Sequence, residues 1–190
     1  VGNEYTDLAL QNKTASLKVY TIEAEIFTED LVKIYKNASQ FEANIGIANE
    51  TVTFEINGGR YNRTSDENGT ASIAINLGPG NYTIKTTFNG TTVENTVTVL
   101  PTLIAEDLVK YYRNASQFFI SLIDGEGNAV TGKNITLNIN GVFYNRLTNE
   151  NGTAKLNINL EAGNYTITAE YKGCRVSNNI EVKSVLTAKD

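Results

Sequence analysis

Residues 29–41 read EDLVKIYKNASQF, and residues 106–118 read EDLVKYYRNASQF. The two stretches differ at two positions and lie 77 residues apart (106 − 29 = 77). Further along, GNYTI occurs at 80–84 and again at 163–167, now 83 residues apart, so the second copy is six residues longer (83 − 77 = 6). Self-similarity at this period predicts two tandem modules with the same fold.

The six extra residues fall in one loop, Asp124–Lys133, which reads DGEGNAVTGK. Insertions are tolerated in surface loops, so we expect a shared scaffold with one variable turn. The copies meet at Leu100–Leu103, where a lone proline predicts a short, semi-rigid connection. We therefore place module 1 at residues 23–100 and module 2 at 101–190. Residues 1–22 form an N-terminal extension or the tail of a preceding module.

Each copy is built from short segments in which apolar and polar residues alternate. Val52, Phe54 and Ile56 are one such row, and the second copy repeats it. A period of two is typical of half-buried strands, and Asn-Gly and Pro-Gly pairs between the rows are turn signals. About seven short strands in roughly 80 residues are typical of an immunoglobulin-like sandwich. The sequence thus predicts an all-β protein of two tandem immunoglobulin-like modules.

The motifs DLVKYYRN, ING-x-x-YNR, ENGTAKLNINL and GNYTITAEYKG together resemble the immunoglobulin-like repeats of adhesin-like proteins from methanogenic archaea. The resemblance covers both copies, from Glu23 to about Lys183. It implies a cell-surface location and many modules in series. It also implies a role in attachment to partner cells or in cell-wall architecture, but it provides no ligand site for this segment.

Composition excludes several classes of function. The net charge is −5, with 16 basic and 21 acidic residues and no basic cluster, which argues against nucleic acid as a partner. The absence of histidine excludes most general-base catalysis and most zinc sites. No apolar run is long enough to span a bilayer. We therefore expect no enzyme acting on an external substrate, no cofactor and no metal. The lone Cys174 allows no intramolecular disulfide, and its apolar row predicts a buried side chain.

One set of residues could form a covalent crosslink within each module. Lys33 lies in an apolar row of the first strand, and Asn95 lies in an apolar row of the last. Lys110 and Asn178 occupy the equivalent positions of module 2. A desolvated lysine can attack an asparagine amide and release ammonia when a nearby carboxylic acid, its pKa raised by burial, polarises the amide. This pattern predicts an intramolecular isopeptide bond in each module.

We choose Asp30 and Asp107 as the assisting acids from the few acidic positions shared by both copies, although they lie three residues before the lysines. A regular strand would direct them to the opposite face, so the hypothesis requires a bend where the strand begins. A plainer interpretation remains open. The lysines would protect a sheet edge or extend to solvent, and the asparagines would bond backbone at a corner of the sandwich.

Asn-x-Ser/Thr triplets are dense along the chain and are candidates for glycosylation. The candidate acceptors are Asn37, Asn68, Asn81, Asn114, Asn151 and Asn164. Strands and turns rich in asparagine and threonine also produce such triplets by chance. The loop 124–128 (DGEGN) has oxygen donors for Ca²⁺, although an ordinary turn fits it better. Tyr35, Tyr111 and Tyr112 are either a carbohydrate platform or core and edge aromatics.

The leading hypothesis is an extracellular, cell-surface stalk segment whose partners are other modules of the same chain. The alternative is a module that itself binds a glycan or a protein on a partner cell. A stalk predicts near-equivalent surfaces on both copies, whereas a binding module predicts exposed aromatics or an acidic loop on only one of them. An enzyme is the weakest hypothesis, because no nucleophile–base pair recurs in the two copies.

Overall fold

The computed structural model describes residues 25–185, and all regular structure in that range is β-strand. The extension proposed for residues 1–22 lies outside the described residues. Module 1 contains β1 (Phe27–Thr28), β2 (Leu31–Ile34), β3 (Gln40–Asn44), β4 (Thr51–Ile56), β5 (Gly59–Thr64), β6 (Thr70–Ala74), β7 (Gly80–Phe88) and β8 (Thr91–Leu100). Module 2 contains β9 (Leu103–Ala105), β10 (Leu108–Tyr111), β11 (Gln117–Leu122), β12 (Asn134–Ile139), β13 (Val142–Leu147), β14 (Thr153–Asn157), β15 (Gly163–Tyr171) and β16 (Cys174–Lys183).

Each module is a sandwich of a three-stranded and a five-stranded sheet. In module 1 the sheets have the orders β1-β3-β6 and β2-β8-β7-β4-β5, and module 2 repeats both orders. All neighbouring strands are antiparallel except two pairs, β2 with β8 and β10 with β16, which run parallel. This topology makes both halves immunoglobulin-like, as the alternating rows predict.

The sequence predicts about seven strands in each module, whereas the structure has eight. The first strand is divided in two, because β1 pairs with β3 in one sheet and β2 pairs with β8 in the other. The chain crosses between the sheets at Glu29 and Asp30, and module 2 crosses at the equivalent Glu106 and Asp107. A change of sheet interrupts the ladder, so one predicted strand becomes two short ones.

The turns form where the Asn-Gly pairs predict them. Asn57 and Gly58, between β4 and β5, have φ values of 49° and 77°. Positive φ at both central residues is the requirement of a type I′ hairpin turn, which matches the twist of the flanking strands. Lys172 with Gly173 adopts the same conformation between β15 and β16, with φ values of 45° and 85°. This second hairpin lies against module 1.

The alternating rows form two separate cores. Val52, Phe54 and Ile84 are fully buried in the first, and Ile135, Leu137 and Ile167 occupy the same places in the second. Burial of an apolar side chain of this size contributes about 1.5–3 kcal/mol, so the core provides most of the stability of each module. Cys174 is buried in the second core, which confirms its prediction as a small hydrophobic residue.

A tyrosine at the start of the penultimate strand fixes the corner of each sandwich. The Tyr82 hydroxyl donates to the carbonyl of Gly78 at 2.9 Å, and the Tyr165 hydroxyl donates to the carbonyl of Glu161 at 2.9 Å. Each bond returns to the backbone four residues upstream, which is the tyrosine corner of immunoglobulin-like domains. Within residues 25–185 no helix has the length and hydrophobicity needed to cross a membrane.

Candidate functional site

The predicted crosslinking lysine lies inside the sandwich. Lys33 on β2 is 6% exposed, and its Nζ donates to the carbonyls of Ser39 at 2.9 Å and Ile75 at 3.1 Å. Ser39 directly precedes β3 and Ile75 directly follows β6, so the ammonium group joins the five-stranded sheet to the three-stranded one. Burial lowers the pKa of Lys33, because desolvation penalises the charged form.

Module 2 repeats this arrangement. Lys110 on β10 is 5% exposed, and its Nζ donates to the carbonyls of Ser116 at 3.1 Å and Ile158 at 2.7 Å. Hydrogen bonds from a charged donor are stronger than those from a neutral donor. Here each lysine replaces water as the donor to two backbone carbonyl oxygens. Each lysine therefore links the two sheets of its module through hydrogen bonds.

The other two predicted residues meet where the chain changes sheets. The Asp30 carboxylate accepts the backbone N–H of Thr96 at 2.8 Å and the side-chain amide of Asn95 at 3.2 Å. Asn95 also accepts the hydroxyl of Thr28 at 2.6 Å. The first strand does break at this point, but Asp30 stays exposed, so its carboxylate is not turned into the core as the crosslink hypothesis requires. The hydrogen bonds of Asp30 fasten the crossover to β8.

Asp107 makes the same contacts in module 2. It accepts the backbone N–H of Asn179 at 2.8 Å and the side-chain amide of Asn178 at 3.3 Å. Hydrogen bonds from Asn179, and then from Asn178, lower the pKa of Asp107 below its usual value. A crosslinking acid needs a raised pKa, so the environment of Asp107 acts in the opposite direction.

The structure does not bring the lysine and the asparagine together. Lys33 is paired with Val99, which lies four residues (99 − 95 = 4) beyond Asn95 along β8, or about 13 Å at the rise of a strand. Lys33 lies near the end of β2 and bonds Ser39, which follows that strand. Asn95 bonds Thr28, which precedes β2. The crosslink remains a prediction from the sequence, and this arrangement gives it no support.

A second candidate site lies between the modules. Tyr35, at the end of β2, packs against the cores of both modules. A Cβ added to Gly173 in the β15–β16 hairpin would lie 3.2 Å from the Tyr35 hydroxyl oxygen, so the turn contacts the ring closely. The tyrosine is therefore a residue of the joint between the modules.

The inserted loop of module 2 contacts module 1 beside Tyr35. The Asn37 side-chain amide donates to the carbonyl of Gly125 at 2.8 Å. Gly125 is buried, and a Cβ there would lie 2.7 Å from the Asn37 backbone nitrogen and 2.9 Å from its Cα. Only glycine fits at this position, because the nearest atoms belong to backbone and cannot move aside.

The inserted loop is ordered by its own aspartate. Asp124 accepts the backbone N–H groups of Asn128 at 2.8 Å and Glu126 at 3.0 Å. These hydrogen bonds lower the pKa of Asp124, and the one from the backbone of Asn128 has the largest effect. The preceding residue, Ile123, donates its N–H to the carbonyl of Thr102 in the linker at 2.9 Å. Loop and linker thus form one structure, which is the joint between the modules.

The remaining predicted residues lie at the surface. Asn68, Asn81, Asn114, Asn151 and Asn164 are exposed, whereas Asn37 is partly buried in the joint. Tyr111 is exposed, and Tyr112 packs partly on the second core. Within the described range no group of three acidic, cysteine or histidine side chains could hold a metal ion.

Module 2 differs from module 1 in exposed apolar residues that sequence reasoning missed. Phe119 is 54% exposed on β11, where module 1 has Glu42, and Leu147 is 61% exposed on β13, where module 1 has Thr64. Both line a shallow groove of about 600 Å³ with Gln117 and Lys155. Comparison of the two copies could have identified these residues from the sequence, because module 2 has apolar residues where module 1 has polar ones.

Comparison with known proteins gives matches of structure only. No family model matches the chain, and no curated protein matches it in sequence. A three-domain fragment of titin, I9–I11, is similar at a TM-score of 0.40 and 16% identity over 84% of this chain and 66% of that one. Invasin, described as a bacterial integrin-binding protein, is similar at 0.35 and 19% identity over 84% of this chain and 38% of that one. A Ca²⁺-stabilised ice-binding adhesin of an Antarctic bacterium is similar at 0.29 and 18% identity, over 87% and 50%.

Replacement of the buried lysine tests the tie between sheets. Lys33→Met retains most of the apolar stem but leaves the carbonyls of Ser39 and Ile75 without their donor. We expect module 1 to lose about 1–3 kcal/mol of unfolding free energy in chemical denaturation. Lys155→Met is the control, because Lys155 is exposed on β14 and has no hydrogen-bond or ion-pair partner within the described range. Equal effects of the two substitutions would contradict the tie.

Intact-protein mass spectrometry tests the crosslink directly. With the lysine held by carbonyls and the asparagine held by an aspartate, we expect the measured mass to equal the sequence mass. A deficit of one ammonia for each module would show instead that the isopeptide bond forms. The Asn95→Ala and Asn178→Ala double variant is the reference, since it cannot form either bond.

Proposed function

We propose that this chain is a segment of an extracellular, cell-surface stalk, in which its modules transmit tension along the chain. The observation that carries the proposal is the parallel pairing of the second strand of each module with the last. Resemblance of the repeated motifs to archaeal adhesin-like repeats supports the surface location, as do the exposed Asn-x-Ser/Thr triplets. Other modules of the same chain are its partners.

The parallel pair determines how a module resists force. Tension enters module 1 ahead of β2 and leaves at the end of β8, and these two strands are neighbours. Since they run in the same direction, pulling on the chain ends slides one along the other. All their hydrogen bonds then resist together, whereas an antiparallel pair pulled from its open end separates one bond at a time.

Further hydrogen bonds reinforce the same pair at both ends. Asp30 fastens the start of β2 to the backbone of Thr96 on β8. At the other end, the Tyr35 backbone N–H donates to the carbonyl of Leu100 at 2.8 Å, the last residue of β8. Lys33 between them ties the pair to the other sheet. The pair can therefore transmit force without a covalent crosslink.

The direction of pulling tests this function in single-molecule force spectroscopy. Attachment at the two chain ends should give a high unfolding force for each module. Attachment at the N-terminus and at Asn89→Cys, in the β7–β8 turn, should unfold module 1 at a lower force, because β2 is then peeled from β8. Cys174 is buried and does not compete for the attachment. The control is the same variant pulled through its chain ends, and equal forces in the two geometries would refute the proposal.

The second candidate function is glycan binding by module 2. One observation favours it: the exposed Phe119 lies beside amide and ammonium groups in a groove of module 2, whereas the corresponding groove of module 1 has Glu42 at that position. A sugar ring packs its apolar face on an aromatic side chain while its hydroxyls bond the surrounding polar groups.

A glycan array tests this second function. If a ligand is found, Phe119→Ala should weaken its binding about tenfold, since an aromatic contact contributes about 1–1.5 kcal/mol. Phe143→Ala is the control, because Phe143 is 71% exposed and does not line the groove. Failure of the intact chain to bind any glycan on the array would remove this candidate.

A further inference from the structure

The turn that forms the module 1 side of the joint occurs again at the far end of module 2. Tyr35–Ser39 reads YKNAS and Tyr112–Ser116 reads YRNAS. Each tyrosine N–H donates at 2.8 Å to the final residue of the last strand, Leu100 in module 1 and Lys183 in module 2. The two turns therefore occupy equivalent places at the ends of equivalent strands.

The backbone of the two turns is also the same. Lys36 has a φ of 67° and Arg113 a φ of 60°. In each turn the asparagine Oδ1 accepts both the backbone N–H and the hydroxyl of the serine two residues on. Since Oδ1 is held, the direction of the amide Nδ2 is determined as well.

The turns differ in what the amide contacts. In the joint, Asn37 Nδ2 donates to the Gly125 carbonyl. Asn114 is exposed, and its Nδ2 has no acceptor among residues 25–185. Tyr112 donates its hydroxyl proton to Glu161 at 3.0 Å, where module 1 has Gly78. The far end of module 2 thus presents the same donor as the joint, oriented in the same way and unpaired.

The sequence beyond Lys183 indicates what meets this donor. Residues 186–190 read LTAKD and residues 103–107 read LIAED, which are identical at three of five positions. The separation is again 83 residues (186 − 103 = 83). Two residues separate Lys183 from Leu186, just as two separate Leu100 from Leu103. The sequence therefore repeats the first residues of a module at the spacing of the existing joint.

We propose that the turn Tyr112–Ser116 is the docking surface for a further module of the module 2 type. That module would carry a loop like Asp124–Asn128, whose glycine carbonyl accepts the Asn114 amide and whose lack of a side chain permits close approach. The inference rests on the proposed stalk function, and it extends that function by specifying how successive modules are joined. Rigid docking at every joint makes the stalk a stiff rod, because each module is fixed relative to the next.

The docking surface also gives Asn114 two competing uses. It begins an Asn-Ala-Ser triplet and is a candidate glycosylation site. A glycan on Nδ2 would occupy the position that the incoming glycine carbonyl needs. Glycosylation of Asn114 and docking at this turn therefore exclude each other.

A three-module chain tests the proposal. Residues 1–185 are followed by a second copy of residues 103–190, which preserves the spacing of the joint. In ¹⁵N NMR spectra, the side-chain amide of Asn114 should shift from its position in the parent chain toward that of Asn37. Relaxation should show all three modules tumbling as one body. An unchanged Asn114 signal, or a third module that tumbles independently, overturns the proposal.

Two variants determine whether the contact is the one proposed. Gly125→Ala in the added copy places a Cβ against the Asn114 backbone and should abolish the shift; its own φ is not in the left-handed region, so the loop tolerates alanine. Asn114→Asp retains the acceptor that orders the turn but removes the donor, and should also release the third module. Gly78→Ala is the control, because no atom lies within 4 Å of the added methyl group. Docking that survives both variants refutes this geometry.

The outcome is separable from that of the proposed function. Force spectroscopy measures the resistance of a single module, whereas NMR of the three-module chain measures the joint. A module that resists force without docking would support the stalk and overturn only the inference. A module that docks but unfolds at the same force in both pulling geometries would support the docking and overturn the proposed function.

Discussion

Division of the first strand between two sheets is the constraint on which the rest of each module depends. It allows β2 to lie parallel to β8, so that strands adjoining opposite ends of the module become neighbours. Asp30 and Asp107 hold the crossover by accepting backbone N–H groups from the last strand. Without such an acceptor, the N–H groups would lose their partner where the ladder begins, and unpaired backbone groups are costly.

The buried lysines complete this arrangement from the inside. An ammonium group in a sandwich core is costly unless it is hydrogen-bonded, and Lys33 and Lys110 each meet two carbonyls at the ends of strands in the facing sheet. Carbonyls at strand ends have no ladder partner, so the lysine satisfies groups that would otherwise need water. The residues that suggested a covalent bond thus form two separate non-covalent contacts, one at each end of the parallel pair.

The joint depends on the loop that makes module 2 six residues longer than module 1. The extra loop is ordered by Asp124, and the same loop places Gly125 against the backbone of Asn37. A repeat of identical modules with shorter loops would leave the linker as their main connection, and small interfaces of that kind permit relative motion. Insertion of a preorganised loop fixes the orientation, since the ordering cost is met within the loop before contact.

Much of this fold could be predicted, because its signals are local. Alternating rows such as Val52, Phe54 and Ile56 determine which face of a strand is buried, and Asn57 with Gly58 determines where the chain reverses. The repeat determined that this happens twice.

The site was predicted in part: Asp30 and Asn95 do meet, and Lys33 is buried as its row indicates. Which of these groups contact one another could not be predicted, because it depends on strand pairing and register. The register of β2 on β8 places Lys33 opposite Val99, four residues along the strand from Asn95. The sequence by itself therefore determined the modules and their inward faces, through periodicities that act within a few residues. Only the tertiary structure decided the partners of Lys33, Tyr35 and Asn37, because those contacts join residues far apart in the chain and depend on how complete sheets and modules pack.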